Sequence, residues 1–276
     1  MSTDAQLSNR FLALHRPGAP LLMPNPWDVG SAKLLASLGF EALATTSSGF
    51  AATLGRRDGG VTRDEALAHA AEIAAATPLP VSADLENGFG DAPEAVAETV
   101  ALARETGLAG CSVEDYGGDS ERRVYDRGLA VERVAAAVEA AHAGPVRLVL
   151  TARAENHIRG VDDLDDTIAR LQAYEQAGAD VLFAPGLRTI EQIRAVVEAV
   201  ERPVNVLMWP GCPPVSQLAE AGVARVSVGG AFAFAAIAAV VEAARELRES
   251  GTADYLERTT VGAQAARAAF SSPDAA

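Results

Sequence analysis

The sequence predicts an α/β fold, a (β/α)8 barrel of the TIM type with one extra C-terminal helix. Three observations carry that reading. Short apolar runs alternate with Ala-rich amphipathic stretches eight times along the 276 residues. The runs recur at intervals of about 30 residues, the size of one βα unit. The first run is followed by "NPWDVGSA" (25–32), which lacks the GxGxxG loop that a doubly wound dinucleotide-binding sheet places there. No Pro/Gly/Ser-rich linker divides the chain. Residues 1–276 are therefore expected to form one domain, with the barrel over about 18–248 and a helical extension over about 250–270.

Each element has its own local reason. "PLLMP" (20–24) is a short apolar strand bounded by prolines, and 29–38 is the first helix of the repeat. "ALATTS" (42–47) follows, its β-branched threonines suited to a pleated surface. The helix over 63–76 opens at "TRDE", where Thr62 and Glu65 form a capping box. "PVSADLE" (80–86) is the third strand, and Asp91 and Pro93 mark the start of a helix over 93–106. "GCSVED" (110–115) precedes a helix over 128–142, and "VRLVLTAR" (146–153) precedes one over 162–177. "DVLFAP" (180–185) precedes 188–200, and "PVNVLMW" (203–209) precedes 214–221. The apolar stretch 223–242 contains Arg225, Ser227 and two glycines. It divides into a strand, "ARVSVGG" (224–230), and a buried helix over 231–248 rather than forming a membrane span. Its "SVGGAFAF" (227–234) has the form of a phosphate-binding turn, although close packing of the last barrel helix explains the glycines equally well. "ADYLERTTVGAQAARAAF" (253–270) is the extra helix, expected to pack on a neighbouring subunit.

Composition narrows the function. A formal net charge of −14 argues against nucleic acid and anionic membrane as partners, since both require a basic footprint. No run approaches ~18 uninterrupted apolar residues. The N-terminus lacks the basic start, apolar run and small-residue cleavage site of a secretory signal, so a cytoplasmic location is expected. Cys111 and Cys212 have neither disulfide-framework nor zinc spacing. Lys33 is the single lysine and lies early in a helix, which excludes Schiff-base chemistry at a strand end.

In such a barrel, function collects at the C-terminal ends of the strands. Strand two ends in "TTSSG" (45–49), strand three in Asp84 and Glu86, and strand four in Glu114 and Asp115. Strand five ends in Arg153, followed by Glu155, Asn156 and His157; Asn205 lies in strand seven, and Asp58 in the loop after strand two. By period-2 alternation Ser82, Asp84 and Glu86 share one face, as do Ser112 and Glu114, while Cys111 turns to the other as a small core residue. Carboxylates converging in a partly buried mouth must be neutralised by protons, cations or distance. A hard divalent ion such as Mg²⁺ meets that need, the alternative being a surface network of acids with Arg153. His15 and His69 are expected at the surface, and His142 ends a helix, where it would favour the dipole. His157 is the histidine placed to reach a ligand.

"TTSSGFAATLGRRD" (45–58), "DLENGFG" (84–90), "VEDY" (113–116) and "TARAEN" (151–156) resemble, in order and spacing, the isocitrate lyase/phosphoenolpyruvate mutase superfamily. The resemblance covers roughly residues 18 to 245. It implies a barrel binding Mg²⁺, or Mn²⁺ in its place, and a small 2-oxo or 2-hydroxy carboxylate that passes through an enolate-like intermediate. It also implies a dimer or tetramer that exchanges its last barrel helix. Carried over by residue, Asp84 would ligate the metal, with Glu86, Glu114 and Asp58 holding its waters. Arg153 would neutralise the enolate oxygen or carboxylate. Thr46, Ser47 and Ser48 would hold the substrate carboxylate, with His157 and Asn205 as further contacts.

The chain departs from the family in one loop. The lyase branch carries a catalytic cysteine in a K-[KR]-C-G-H loop after strand four, and the mutase and hydrolase branch carries a lysine and an asparagine there. This chain has "YGGDSERRVYDR" (116–127), with none of these. Tyr116, Asp119, Glu121, Tyr125 and Asp126 are the candidate acid/base replacements, Tyr116 foremost. The resemblance thus implies a Mg²⁺-dependent C–C lyase. A P–C mutase or hydrolase, an oxaloacetate decarboxylase, and a non-catalytic member that binds metal and ligand are the alternatives.

Overall fold

The computed structural model describes residues 3–118 and 124–271. Eight parallel strands run in the order β1-β8-β7-β6-β5-β4-β3-β2. They are β1 (Leu21–Met23), β2 (Leu43–Ala44), β3 (Val81–Asp84), β4 (Gly110–Glu114), β5 (Val149–Arg153), β6 (Val181–Phe183), β7 (Val204–Leu207) and β8 (Arg225–Ser227). The amide of Ala44 donates to the carbonyl of Pro24 at 3.1 Å, which brings β2 back to the end of β1 and nearly closes the barrel. The expected (β/α)8 barrel is observed. The strands are shorter than the apolar runs, because each polar end leaves the ladder to enter a loop.

Helix α1 (Thr3–Ala13) precedes the barrel, and α2 (Val29–Ser37), α3 (Ser47–Thr53) and α4 (Arg63–Ala75) follow the first two strands. The remaining helices are α5 (Pro93–Ala103), α6 (Arg127–His142), α7 (Leu164–Gln176), α8 (Ile190–Ala199), α9 (Val215–Glu220), α10 (Ala231–Glu249) and α11 (Leu256–Phe270). The capping box of α4 forms as its sequence predicts, with Thr62 and Glu65 each satisfying the other's amide. Pro93 opens α5, but Asp91 does not cap it; its carboxylate takes the Tyr125 hydroxyl at 2.5 Å instead. Among the described residues, no helix is long and apolar enough to cross a membrane.

Two helices, α1 and α3, are absent from the sequence expectation, and both move a histidine. Helix α1 lies under the barrel, where Phe11 and Leu14 pack on Leu21, Val149 and Val181. Gly110 makes this approach possible, since a Cβ there would come 2.8 Å from the Phe11 ring and 2.6 Å from the Val149 carbonyl. His15, just after α1, is consequently buried at 6% exposure rather than at the surface. In α3, Phe50 stacks on His69 at 3.8 Å, and the imidazole Nε2 meets the Trp27 carbonyl at 3.0 Å, so His69 is buried as well. His142 pairs with the buried Asp180 at 2.9 Å.

The apolar core lies mostly between sheet and helices. Ala83, Cys111, Val113 and Leu150 pack outward with α5 and α6, while Leu182, Val204 and Val226 pack with α7 and α8. Cys111 is fully buried there, and burial pushes its thiol up to about 12. The inward positions carry Ser82, Ser112, Thr151, Asn205, Arg225 and Ser227, so the interior is polar where barrels usually stack branched apolar side chains. Helix α10, expected from its apolar sequence to be buried, is instead exposed, with only Ala233 of its 19 residues buried; α11 packs against α2 and has no buried residue.

His15 makes the fold acid-sensitive. Burial first, and then the Arg225 charge, push its pKa from 6.5 down to about 3. The unfolded chain takes up a proton below pH 6.5 that the folded chain refuses. The stability present above pH 6.5 is therefore lost as pH falls towards 3, at about 1.4 kcal/mol per pH unit. Urea unfolding between pH 7 and pH 4.5 should show this slope, reduced in His15→Gln. Equal slopes in both proteins would remove His15 as its source.

Candidate active site

Asp84 ends β3, and its backbone is fixed by the Thr45 hydroxyl, which accepts the Asp84 amide at 2.9 Å. One carboxylate oxygen accepts the Ser47 amide at 3.1 Å, at the positive end of α3. The chain then turns sharply: Glu86 and Phe89 adopt left-handed φ values of 48° and 60°, with Gly88 at 78° between them. Two non-glycine residues in that region are strained and must be held by their surroundings. The fully buried Arg133 does this. It donates to the carbonyls of Asn87, Gly90 and Asp91, and its guanidinium lies 4.4 Å from the centre of the Tyr125 ring. The strand that runs out into "ENGFG" is thus a clamped turn that aims Glu86 into the barrel mouth.

Arg153, at the end of β5, is the hub. Its Nη1 donates to Asp84 at 3.0 Å, its Nη2 pairs with Glu114 at 3.0 Å, and Nη2 and Nε reach Glu155 at 2.8 and 3.1 Å. Arg159 adds a second cation. It reaches Glu114 at 3.2 Å and Glu155 at 3.0 Å, with its guanidinium 3.7 Å over the Tyr116 ring. Burial opposes the Arg153 charge, but Glu114, Glu155 and Asp84 more than offset it and hold the guanidinium protonated. Burial raises the Glu114 carboxyl well above its usual range, and Glu155 and Asp84 add to that while Arg153 opposes it. Glu86 is pushed up to about 7 by burial, then by Asp84 and Asp58.

These residues surround a cavity of about 590 Å³. Thr46, Ser47, Ser48 and Asp58 line one side; Asp84, Glu86 and Glu114 line the next; Tyr116, Arg153 and Asn205 complete the set expected from the sequence. His157 is the exception. It does not line the cavity, and its Nδ1 lies 3.1 Å from Asp162. Asp115, next to Glu114, also turns away. It accepts the Glu155 amide at 2.8 Å, Arg170 at 3.0 Å and the Tyr174 hydroxyl at 2.6 Å, behind the sheet.

Of the acid/base candidates in the 116–127 loop, Tyr116 faces the cavity. Tyr125 is buried against Asp91 and Asn87, and Asp126 stands exposed at the start of α6. Asp119 and Glu121 lie outside the described residues. The turn at 227–230 is not an open phosphate cradle, because the amides of Val228 and Gly229 already donate to Asn25 at 3.0 and 2.9 Å. Sequence reasoning missed the roles of Arg159 and Arg225. The readable signals were the i,i+4 spacing of Glu155 and Arg159, and a lone charge in the apolar β8.

Among the described residues, no three His, Cys, Asp or Glu side chains converge closely enough to hold a metal by themselves. The donor set nevertheless fits a hard divalent cation that keeps most of its waters. It is made of oxygen only, and the carboxylates of Glu86 and Asp58 accept no hydrogen bond among the described residues. The mutual repulsion of Asp84, Glu86 and Asp58 is what a cation would relieve.

Comparison with known proteins agrees with this architecture. Residues 11–248 match the phosphoenolpyruvate phosphomutase family. A Burkholderia cenocepacia J2315 crystal structure, described as a candidate lyase/mutase, superposes with a TM-score of 0.95 at 52% identity, covering 99% of both chains. An uncharacterized Mycobacterium tuberculosis H37Rv protein is 35% identical over 87% of this chain and 89% of its own. The 2-methylisocitrate lyase of Escherichia coli K12 is 30% identical over 87% of this chain and 88% of its own. With the barrel, the clamped "DLENGFG" turn and the Arg153 hub in place, the chain belongs to the phosphoenolpyruvate phosphomutase family of the isocitrate lyase/phosphoenolpyruvate mutase superfamily.

Proposed function

We propose that the protein is a Mg²⁺-dependent lyase that cleaves a carbon–carbon bond of a small 2-oxo or 2-hydroxy carboxylate through an enolate-like intermediate. The observation that carries this reading is the Arg153 guanidinium, held in the cavity beside Asp84 and Glu114. It places a permanent positive charge where an oxygen becomes negative as the bond breaks. Thr46, Ser47 and Ser48 line the wall at the start of α3 and orient the substrate carboxylate. Asp84 would hold the metal, with Glu86, Glu114 and Asp58 on its waters. When bound, the ion supplies Lewis-acid polarisation of the 2-oxygen. Tyr116, facing the cavity beneath Arg159, would move a proton at the enolate carbon. The absence of a lysine from the 116–127 loop favours this reading over phosphorus–carbon chemistry.

The same reading includes a homo-oligomer in which the last barrel helix, α10, is exchanged between subunits. Phe232, Phe234, Ile237, Val240 and Val241 leave α10 with an exposed apolar surface beside a hollow of about 280 Å³ that also includes Trp27 and Ala52. Light scattering should give a dimer or tetramer, and Val240→Glu with Ile237→Glu should lower the mass. A monomeric wild type would end this part of the reading.

Oxalate mimics the enolate and tests the site directly by calorimetry. It should bind with Mg²⁺ and lose at least about 100-fold affinity in chelator, in Asp84→Ala and in Arg153→Ala, a loss of about 2.7 kcal/mol or more. Cys111→Ser should bind within about threefold of wild type, as expected of a thiol on the far face of its strand. Oxalate binding that ignores both Mg²⁺ and Asp84 would overturn the mechanism. Substrates then separate the outcomes: turnover of 2-methylisocitrate or malate derivatives supports the lyase, whereas turnover of phosphonopyruvate alone replaces it.

A further inference from the structure

Arg225 stands apart from the other arginines that line or brace the site. Arg153, Arg159 and Arg170 each pair with carboxylates, and Arg133 is clamped on three backbone carbonyls. Arg225 is 3% exposed and, among the described residues, has no carboxylate within ion-pair distance. Neutral acceptors hold it instead. Its Nε donates to Asn205 Oδ1 at 3.0 Å, and its Nη1 donates to Thr151 Oγ1 and to His15 Nε2, both at 3.1 Å. The Phe11 carbonyl takes the other imidazole nitrogen of His15 at 2.8 Å, which leaves Nε2 as the acceptor.

These bonds use the Nε and Nη1 hydrogens and leave Nη2 with no partner among the described residues. Arg225 lines the cavity together with Ser82, Ser112 and Ser227. The result is a rigid, oriented guanidinium edge that opens into the active-site cavity. A buried charge that lacks a counter-ion is costly, and a bound anion removes that cost.

The position of this edge sets the length of its ligand. Thr151 and Arg153 lie two residues apart on the inward face of β5, roughly 6–7 Å along the strand. The Arg225 guanidinium, bonded to Thr151, therefore lies below the Arg153 layer, deeper in the barrel. Beneath it α1 and His15 close the floor. One guanidinium edge on the wall of this cavity matches one carboxylate.

We propose that Nη2 of Arg225 forms a second anion subsite at the floor of the cavity. It takes the distal carboxylate of a linear four- or five-carbon diacid whose 2-oxygen end lies at Asp84 and Arg153. Arg225 is then the residue that sets the preference for a diacid over a monoacid. Asn205 is held in the correct orientation by the same network, with its Nδ2 donating to Ser227 at 2.9 Å. The assignment of the upper end rests on the enolate reading; the floor subsite rests on Arg225 alone.

Calorimetry with Mg²⁺ present tests it, using malate and 2-hydroxyglutarate against lactate and 2-hydroxyvalerate, with oxalate as the probe of the upper end. Wild type should prefer the diacids by about tenfold or more. Arg225→Met should lose that preference while keeping oxalate within about threefold, and Arg225→Lys should keep part of it. A wild-type diacid preference near one overturns the proposal, and this result needs no variant to fold. Equal loss of oxalate and diacid in a folded Arg225→Met assigns Arg225 a structural role and also overturns it. Arg225-dependent binding of acetate or chloride as tight as that of the diacids means a free anion fills the floor, which again overturns it. If oxalate fails to bind but an Arg225-dependent diacid preference remains, the floor subsite stands and the enolate reading falls.

Discussion

The guanidinium of Arg153 is the charge on which the mouth of this barrel depends. Asp84, Glu114 and Glu155 come from successive strand ends, and three carboxylates cannot share a buried mouth without a cation among them. Leaving one partner of such a buried set uncompensated costs several kcal/mol, far more than the pairing of exposed ions gains. The surrounding structure therefore serves to hold these groups in place. Asp115, behind the sheet, fixes the Glu155 amide and is itself fixed by Arg170 and Tyr174 of α7. Arg159 balances the carboxylate oxygens that Arg153 leaves. Helix packing and active-site electrostatics are one problem in this fold, solved by the same side chains.

The polar interior follows from the same constraint. A barrel filled with branched aliphatic side chains would leave no room below Arg153. Here serines, Thr151, Asn205 and Arg225 occupy inward positions, and the cavity extends down between them. Such groups are tolerated when they are hydrogen-bonded, and the chain Ser227–Asn205–Arg225–His15 runs down to the carbonyl of Phe11, leaving only Nη2 of Arg225 to the cavity. Apolar packing, sparse at the centre, is concentrated in the helix layer and beneath the floor. Helix α1 thus does more than precede the barrel. It seals the end opposite the site, and His15, just beyond it, orients Arg225.

Much of this was legible along the chain, and the misses have physical causes. The order of strands and helices, the capping box at Thr62 and the acids at the ends of β3 and β4 could all be read from local pattern. Helix α3 could not, because "TTSSGF" reads as a strand running into a polar loop until Thr46 accepts the Gly49 amide and turns it into a helix. His15 and His69 looked solvated because their burial comes from α1 and α3. His157 shares its loop with Glu155 but faces Asp162.

The sequence by itself determined the barrel and the face of each strand that carries its carboxylates. Apolar periodicity, capping and side-chain alternation act over a few residues and are written locally. Tertiary structure alone decided which charges meet. Arg153 and Asp84 are 69 positions apart, and Arg225 and His15 are 210 apart. Only the register of eight strands around a nearly closed barrel brings such residues within hydrogen-bonding distance. Glu114 facing the site and Asp115 bracing it from behind are neighbours in sequence, separated by the pleat of one strand.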